Sequence, residues 1–185
     1  MTIDFITKLP QSSRKHDSIM VVVDNLTKAA HFVPVKSTHK AANIEEIYMR
    51  EIVRLHGIPK AIVSDRDSKF TSNFWKGLFK EFGTNMNLST MYHLQTDGQI
   101  ERVNQVIEDM LRMYVMDQPS KWESYLYLVE FAYNNGYHAS LKMSLFEALY
   151  GRRCRTPVSW DNRIDRVIVG LEMLKDMEEQ VIKIR

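Results

Sequence analysis

The chain has 185 residues, enough for one well-buried domain, and its hydrophobic content of 44% with only seven glycines and five prolines excludes a disordered or low-complexity protein. Its single cysteine, Cys154, excludes an internal disulfide and a cysteine pair for a metal, so we expect a reducing compartment. The longest apolar runs are far too short to cross a membrane and the N-terminus has no signal-peptide pattern, which predicts a soluble intracellular protein.

The net charge of +2 says little about binding partners, but the positive charges are unevenly distributed. Five arginines crowd into residues 152–166: Arg152, Arg153, Arg155, Arg163 and Arg166. Such a cluster is a candidate phosphate-binding surface. A solvated basic surface explains it equally well.

The first six residues, MTIDFI, form a short β-prone run with Asp4 in its middle. Burying a carboxylate in an apolar strand costs several kcal/mol unless it is paired, protonated or bound to a metal. The alternative is an edge strand on which Asp4 points to water. The sequence of this strand leaves both interpretations open.

The next two strands are predicted at residues 18–24 and 31–36, where SIMVVVD and HFVPVK form an antiparallel hairpin. Pro34 indicates an edge strand or a bulge. Asp24 is most simply a strand-end or turn residue. His31 is a strand residue for which the sequence offers no partner.

A helix with apolar residues at helical spacing is predicted at residues 41–55, and a buried strand follows at residues 60–64. This strand, helix, strand order predicts a crossover that brings the new strand parallel to an earlier one. Asp65 falls at the carboxyl end of that strand, where open α/β sheets usually place their ligands. Asp67 competes for the same role, but Asp65 directly terminates the strand.

After an amphipathic helix at residues 71–82 and a short strand at 86–89, a long helix should begin close to Thr96, which has capping-box spacing to Gln99. Glu101 then lies in its first or second turn. The apolar face predicted for this helix comprises Ile100, Val103, Ile107, Met110, Leu111 and Tyr114, and the polar face comprises Glu101, Asn104, Gln105, Glu108 and Arg112. An acidic residue near a helix N-terminus is common, because it favours the helix dipole.

Three further helices complete the predicted order. An aromatic-rich helix covers residues 120–133, and Ser144 with Glu147 has capping-box spacing for a short helix that Gly151 ends. Residues 167–185 form another helical stretch with the character of a connector.

Asp4, Asp65 and Glu101 stand out as three carboxylates that converge if the first and fourth strands are neighbours and the long helix packs on the sheet. A site with only oxygen ligands suits hard divalent cations, Mg²⁺ or Mn²⁺.

At this point the chain resembles the catalytic core of an integrase from a gypsy-type (metavirus) LTR retrotransposon, within the retroviral integrase superfamily. The resemblance covers residues 1–160 and rests on motifs in the same order: TIDFITKLP, VVVDNLTKAAHF, IPKAIVSDRDSKFTSNFW, HLQTDGQIERVNQ and FAYNNGYHASLKMSLFEALYGRRCRTP. It implies the ribonuclease-H-like α/β fold, a five-stranded mixed sheet flanked by helices. It also implies a catalytic core at residues 1–160, followed by a truncated connector helix at residues 161–185.

The resemblance assigns Asp4, Asp65 and Glu101 as a catalytic, metal-binding triad for two Mg²⁺ or Mn²⁺ ions. The implied activity is polynucleotidyl transfer, in which DNA 3′ ends are cut and joined to target DNA. The candidate nucleic-acid contacts are Lys69, Gln95, Asn104, Arg152, Arg153 and Arg155. Lys69, Gln95 and Asn104 are alternatively active-site contacts, and each of the six is equally plausible as a surface polar residue. The implied partners are element and target DNA and further copies of the chain, in the nucleus after a cytoplasmic particle stage.

The chain departs from the family pattern at four positions. Ser68, Leu94 and Leu145 replace prolines, and Ile100 replaces a small hydroxylated residue, so we expect a decaying copy of the element. A zinc-binding region before Met1 and a further domain after Arg185 are also missing from the sequence. We therefore expect a fragment that folds as a core but integrates poorly.

Two other functions compete with DNA integration. The first is a catalytically inactive domain of the same fold that binds nucleic acid or partner proteins. The second is a ribonuclease H that cuts RNA in hybrids, against which the order of the motifs argues.

Overall fold

The computed structural model describes residues 1–64, 73–88, 94–139, 141–152 and 154 of the chain. The chain divides into two compact units, Met1–Tyr133 and Asn134–Arg185. The candidate triad falls in the first unit, which carries the main sheet.

The main sheet has five strands: β1 Thr2–Ile6, β2 Ser18–Val23, β3 Ala30–Val35, β4 Ala61–Ser64 and β5 Asn85–Leu88. They lie in the order β3-β2-β1-β4-β5. β2 is antiparallel to both β1 and β3, whereas β4 is parallel to both β1 and β5. The predicted hairpin, the predicted crossover and the edge position of the strand that contains Pro34 are all confirmed.

The helices of the first unit follow the predicted order with shifted ends. Helix α1 covers Ala41–Tyr48, continues through a π-helical turn at Met49–Val53 and ends in the single turn α2, Arg54–His56. Gly57 follows with a φ of 73°, a conformation that favours glycine and ends the helix as predicted. The remaining helices are α3 Asn73–Glu81, α4 Leu94–Val115 and α5 Trp122–Asn135, with a 3₁₀ turn at Pro119–Lys121 before α5.

Both faces of the main sheet are packed against helices. On one face, sheet residues meet α4 and α5 in a core formed by Ile6, Ile19, Val21, Val23, Ala30, Phe32, Ile100, Val103, Ile107, Leu111, Trp122, Leu126 and Val129. On the other face they meet the helical segment α1–α2 and α3 in a core formed by Ile3, Met20, Val22, Val35, Ile44, Tyr48, Ile52, Ile62, Trp75 and Phe79. All six residues of β2 are buried because helices cover both of its faces.

The position of β1 decides between the two interpretations of Asp4. β1 lies in the middle of the sheet, with β2 on one side and β4 on the other. The edge-strand alternative for Asp4 is therefore wrong. Because side chains alternate along a strand, Asp4 faces the same side as Ile6, toward α4.

The second unit contains a two-stranded hairpin, β6 Tyr137–His138 and β7 Met143–Ser144, followed by helix α6, Leu145–Tyr150. The Ser144 side chain accepts a hydrogen bond from the Glu147 N–H, and Gly151 has a left-handed conformation with a φ of 69°. The predicted start and end of this helix are confirmed. The predicted domain boundary at residue 160 and the connector helix lie outside the described residues.

A search of the described part of the chain for a helix long and apolar enough to cross a membrane found none.

Candidate active site

Asp4 presents its carboxylate from the central strand β1 toward helix α4. Its Oδ1 accepts a hydrogen bond from the Phe5 N–H at 2.8 Å, and its Oδ2 accepts one from Asn104 Nδ2 at 2.7 Å. Its side chain is half-buried. These two hydrogen bonds hold both carboxylate oxygens of Asp4 in place.

Asn104 was predicted on the polar face of its helix as a DNA or active-site contact, and the structure places it half-buried against Asp4. Its Oδ1 atom is buried and makes no hydrogen bond to any described residue. A buried amide oxygen without a partner is unusual in a folded protein and is commonly satisfied by water or an ion. The orphaned oxygen lies on the same amide group that holds Asp4.

Glu101 lies on α4 one helical turn before Asn104, and its side chain is exposed. Residues three apart on a helix are neighbours on its surface, with Cβ atoms roughly 5–6 Å apart. Glu101 therefore lies one turn from the residue that contacts Asp4. The carboxylate is available to a ligand because the apolar side chains of α4 turn toward the core instead.

The predicted packing of α4 agrees with the structure. Ile100, Val103, Ile107 and Leu111 are buried, and Met110 packs against the same core. The helix begins at Leu94 instead of close to Thr96. The side chain of Tyr114 lies outside the described residues.

β4 brings its carboxyl end beside β1. The parallel register pairs Thr2 with Val63 and Ile3 with Ser64, and Ser64 is buried. Ser64 is the last described residue before the gap at residues 65–72, so Asp65 and its competitor Asp67 lie outside the described residues. β4 therefore ends beside Ile3, the residue that precedes Asp4.

The donor atoms near Asp4 fit a hard cation. They are carboxylate and amide oxygens, the ligands that Mg²⁺ and Mn²⁺ prefer over nitrogen or sulfur. Among the described residues, no group of three or more histidine, cysteine, aspartate or glutamate side chains is placed to hold a metal ion. Asp65 is not among the described residues, so the described part of the site consists of Asp4, Glu101 and the orphaned Asn104 oxygen.

The remaining predicted nucleic-acid contacts are described only in part. Gln95 lies in the first turn of α4, but its side chain is outside the described residues. Lys69, Arg153 and Arg155 are also outside them. Arg152 is exposed in the second unit, directly after Gly151.

A second polar group, which the sequence did not indicate, lies at the free edge of the sheet. His31 on β3 has Nδ1 3.1 Å from Glu130 Oε1 and Nε2 2.8 Å from His56 Nε2. Glu130 also accepts the Phe32 N–H through Oε2 at 2.8 Å. These partners come from β3, α2 and α5, so no local sequence pattern connects them.

A third polar group anchors the loop between β1 and β2 to the start of α5. Glu123 Oε2 accepts a hydrogen bond from Ser12 Oγ at 2.6 Å and lies 3.0 Å from His16 Nδ1, while Trp122 Nε1 donates to the Pro10 carbonyl at 2.7 Å. Burial raises the pKa of Glu123, but the hydrogen bonds from Ser12 and His16 outweigh it. The net effect lowers the pKa below the ordinary value of 4.5.

Comparison with known proteins gives sequence relatives and structural neighbours, although no family model matches the chain. The chain is 36% identical over 150 residues, or 81% of its length, to the Transposon Tf2-3 polyprotein of Schizosaccharomyces pombe, and equally to the Tf2-4 polyprotein. It spans about 11% of the length of these curated relatives.

Two solved integrase cores share its fold. The catalytic core domain of BIV integrase superposes with a TM-score of 0.63 at 18% identity and covers 81% of this chain and 92% of its own. The HTLV-2 integrase catalytic core domain in complex with magnesium, in its trimeric form, superposes with a TM-score of 0.61 at 16% identity and covers 79% of this chain and 92% of its own.

A chain from a larger assembly also shares the fold. A chain of the simian T-cell lymphotropic virus intasome, solved in complex with the PP2A regulatory subunit B56 gamma, superposes with a TM-score of 0.67 at 14% identity. That match covers 84% of this chain and 55% of the other. The chain is thus homologous to a segment of the Tf2 retrotransposon polyproteins and has the ribonuclease-H-like fold of retroviral integrase catalytic cores.

Proposed function

We propose that this chain is the catalytic core of an integrase from a gypsy-type (metavirus) LTR retrotransposon, and that it processes DNA 3′ ends and transfers them into target DNA. The observation that carries the proposal is the Asp4 to Asn104 hydrogen bond, which ties the central strand to α4 one turn from Glu101. An integrase needs its carboxylates at this junction of sheet and helix. Homology to retrotransposon polyproteins supports the same substrate class.

The proposed metal ligands are Asp4, Asp65 and Glu101. Asp65 follows Ser64, which pairs with Ile3, so the sequence places a carboxylate directly after the β4 residue beside β1. When bound, two Mg²⁺ or Mn²⁺ ions would increase the acidity of the attacking hydroxyl and neutralise charge on the transferred phosphate. The magnesium complex of the HTLV-2 core supports this choice of cation.

Asn104 acts in this proposal as a positioning residue. Its amide holds one oxygen of Asp4, and the Phe5 N–H holds the other, so the carboxylate keeps one orientation. Both hydrogen bonds are donated to the carboxylate oxygens, so they fix the direction in which Asp4 faces a cation. Asn104 therefore orients Asp4 as a ligand, which corresponds to the active-site alternative among its predicted roles.

The reaction would be a direct exchange of phosphate ester bonds. In 3′-end processing a water oxygen forms the new bond to phosphorus, and in strand transfer a DNA 3′ hydroxyl oxygen does so. The bond from phosphorus to the leaving 3′ oxygen breaks, and that oxygen takes up a proton. No covalent bond to the protein is needed, since the three carboxylates serve only to hold cations.

Basic and polar side chains outside the carboxylate set would hold the DNA. We assign this role to Lys69, Gln95, Arg152, Arg153 and Arg155. Phosphate contacts of this kind give affinity that falls steeply with salt, and they carry no sequence information.

The remaining parts of the proposal concern the whole protein. We propose a catalytic core at residues 1–160 and a connector helix at residues 161–185, several copies acting together on element and target DNA. Solved dimeric and trimeric forms of the HTLV-2 core support oligomerisation, and the simian virus intasome supports assembly on DNA. We place the activity in the nucleus, where target DNA lies, after a cytoplasmic particle stage.

The test is a disintegration and strand-transfer assay on labelled DNA in Mn²⁺ or Mg²⁺. It compares the native chain with Glu101→Gln and with the matched control Glu108→Gln, which changes an equally exposed carboxylate seven residues later on the same helix. The proposal predicts products from the native chain and the control, and none from Glu101→Gln. Products that persist in Glu101→Gln would contradict the role of Glu101.

A second candidate function is a catalytically inactive domain that keeps the fold and binds nucleic acid or protein. The substitutions at Leu94 and Ile100, which both precede Glu101 in the same helix, favour it. A folded native chain that gives no product in either cation, but binds DNA with steep salt dependence, would support this candidate. Binding that is insensitive to salt would instead indicate a protein partner.

A further inference from the structure

The His31 and His56 imidazoles approach each other at the free edge of the sheet. Their Nε2 atoms are 2.8 Å apart, the ring centroids are 4.8 Å apart and the ring planes are inclined by 46°. Two ring nitrogens at this separation share one proton, so one of them must present a lone pair. A transition metal ion that displaces the shared proton would bind the lone pairs of both nitrogens.

Glu130 fixes which nitrogen of His31 presents its lone pair. Its Oε1 lies 3.1 Å from His31 Nδ1, and its Oε2 is held by the Phe32 N–H at 2.8 Å. His31 Nδ1 therefore carries the proton, which leaves the Nε2 lone pair directed at His56. Metal-binding histidines commonly donate their other ring N–H to a carboxylate in this way, because the carboxylate fixes the ring and raises its basicity.

The His31–His56 pair is accessible from solvent. His56 is exposed, and His31 and Glu130 line a groove of about 610 Å³ that opens to solvent. An ion can therefore reach the pair without unfolding any helix or strand.

We propose that His31 and His56 bind a borderline divalent ion of the Zn²⁺ type through their Nε2 atoms, with Glu130 positioning His31. Tetrahedral Zn²⁺ with bonds of about 2.0–2.1 Å needs two nitrogens roughly 3.3 Å apart, so the rings need to separate by about half an ångström. Two protein ligands leave the other positions to water or to an external donor.

The His31–His56 site differs in chemistry from the carboxylate site. Nitrogen donors select Zn²⁺, Ni²⁺ or Cu²⁺, whereas Mg²⁺ prefers oxygen. It also differs in place, since His31 lies on the edge strand β3 and Asp4 on the central strand β1. The bound ion would join β3 to the end of the α1–α2 segment. The inference therefore does not depend on DNA integration.

The test uses chain without a histidine tag, and follows the imidazole resonances of each histidine by NMR as Zn²⁺ is added. We expect His31 and His56 to shift together and saturate at one Zn²⁺ per chain, with an increase in the unfolding temperature. Mg²⁺ should leave both resonances unchanged. No shift of the pair with Zn²⁺, or an equal shift with Mg²⁺, would overturn the proposal.

Two variants make the result specific. His56→Asn should abolish the Zn²⁺ response, whereas the control His39→Asn, a histidine outside the pair, should keep it. Glu130→Gln keeps both imidazoles but replaces the carboxylate, and should weaken Zn²⁺ binding about 10-fold to 100-fold. If His56→Asn does not fold, the affinity of Glu130→Gln decides the question, and native affinity in that variant would refute the role of Glu130.

Discussion

Asn104 Nδ2 donates a hydrogen bond to Asp4 Oδ2 at 2.7 Å, across one hundred residues of sequence. This contact joins the central strand β1 to the helix that carries Glu101. It also removes Asn104 from the solvent-facing side of α4, to which its helical spacing assigned it. The hydrogen bond is a polar contact within the otherwise apolar packing of β1 against α4. Glu101 lies one helical turn away from it.

Replacing Asn104 by Asp should destabilise the chain in the absence of divalent cations. The change removes the amide donor and puts a second negative charge beside Asp4, so we expect a loss of about 2 kcal/mol or more in the free energy of unfolding. Added Mn²⁺ should restore more stability to the variant than to the native chain, because the cation neutralises the added charge. Urea unfolding with and without Mn²⁺ measures both effects.

The matched control for this variant is Gln105→Glu, which adds the same charge at an exposed position of the same helix. It should change the unfolding free energy by less than about 0.5 kcal/mol. Equal effects of Asn104→Asp and Gln105→Glu would show that the Asp4 contact does not determine the outcome.

Glu130 protects the free edge of the sheet. Its carboxylate accepts the outward Phe32 N–H, and two residues later Pro34 has no N–H to present on that edge. Glu130→Ala should therefore lower the free energy of unfolding by about 1–3 kcal/mol, because it leaves a backbone donor without its partner. Glu108→Ala is the exposed control, and a loss of the same size in both variants in urea unfolding would argue against edge protection.

The stability of the chain should fall in acid partly through Glu123. Because the folded state lowers the pKa of Glu123 below 4.5, its contribution is complete above that value and is lost as the pH falls through the lowered pKa. Glu123→Gln should be less stable than the native chain near neutral pH and should lose less stability on acidification. Unfolding free energies measured from about pH 6 to pH 3 test this, and parallel curves for the two proteins would contradict it.

His56 should add a separate pH dependence at higher pH. Its pKa is lowered by burial and by His31, with Asp24 opposing the shift, so the unfolded state binds more protons than the folded state below about pH 6.5. Stability should therefore fall as the pH drops from about 7 to 5, with His31, Asp24 and Glu130 as the charged or titratable neighbours.

The test compares the unfolding free energy of the native chain with that of His56→Asn from about pH 7 to pH 5. Both are measured in a chelator so that no metal contributes. The variant loses the hydrogen bond to His31 at every pH, which lowers its unfolding free energy by a similar amount across the whole pH range. The informative quantity is the slope of the unfolding free energy against pH. A slope in His56→Asn as steep as the native one would assign the pH dependence to another group.

Much of the main sheet could be predicted because its signals are local. The apolar run of β2 predicted a strand buried on both faces, and Pro34 indicated an edge strand or a bulge, of which the structure shows the edge strand. The position of β1 could not be chosen from its sequence, since a central strand and an edge strand can both contain one aspartate. Pairing with β4 on the side opposite β2 decides the matter, and β4 comes from a distant part of the chain.

The side-chain partners were the least predictable feature. The apolar face of α4 follows from helical spacing, but the contact of Asn104 depends on how the whole helix sits on β1. His31 had no partner in the sequence because Glu130 and His56 come from helices that meet only in the folded chain. The π-helical turn at Met49–Val53 likewise interrupts a segment whose apolar spacing indicated a continuous helix.

The central claim is that Asp4 and Glu101 bind the same cations as Asp65. Anomalous diffraction from crystals grown in Mn²⁺ tests it most directly, with Asp4→Asn crystals grown identically for comparison. The account predicts an Mn²⁺ peak in contact with the carboxylates of Asp4, Asp65 and Glu101 in the native chain, and a weakened or absent peak in Asp4→Asn. Saturating Mn²⁺ with no peak at these carboxylates, or a peak that Asp4→Asn leaves unchanged, would contradict it.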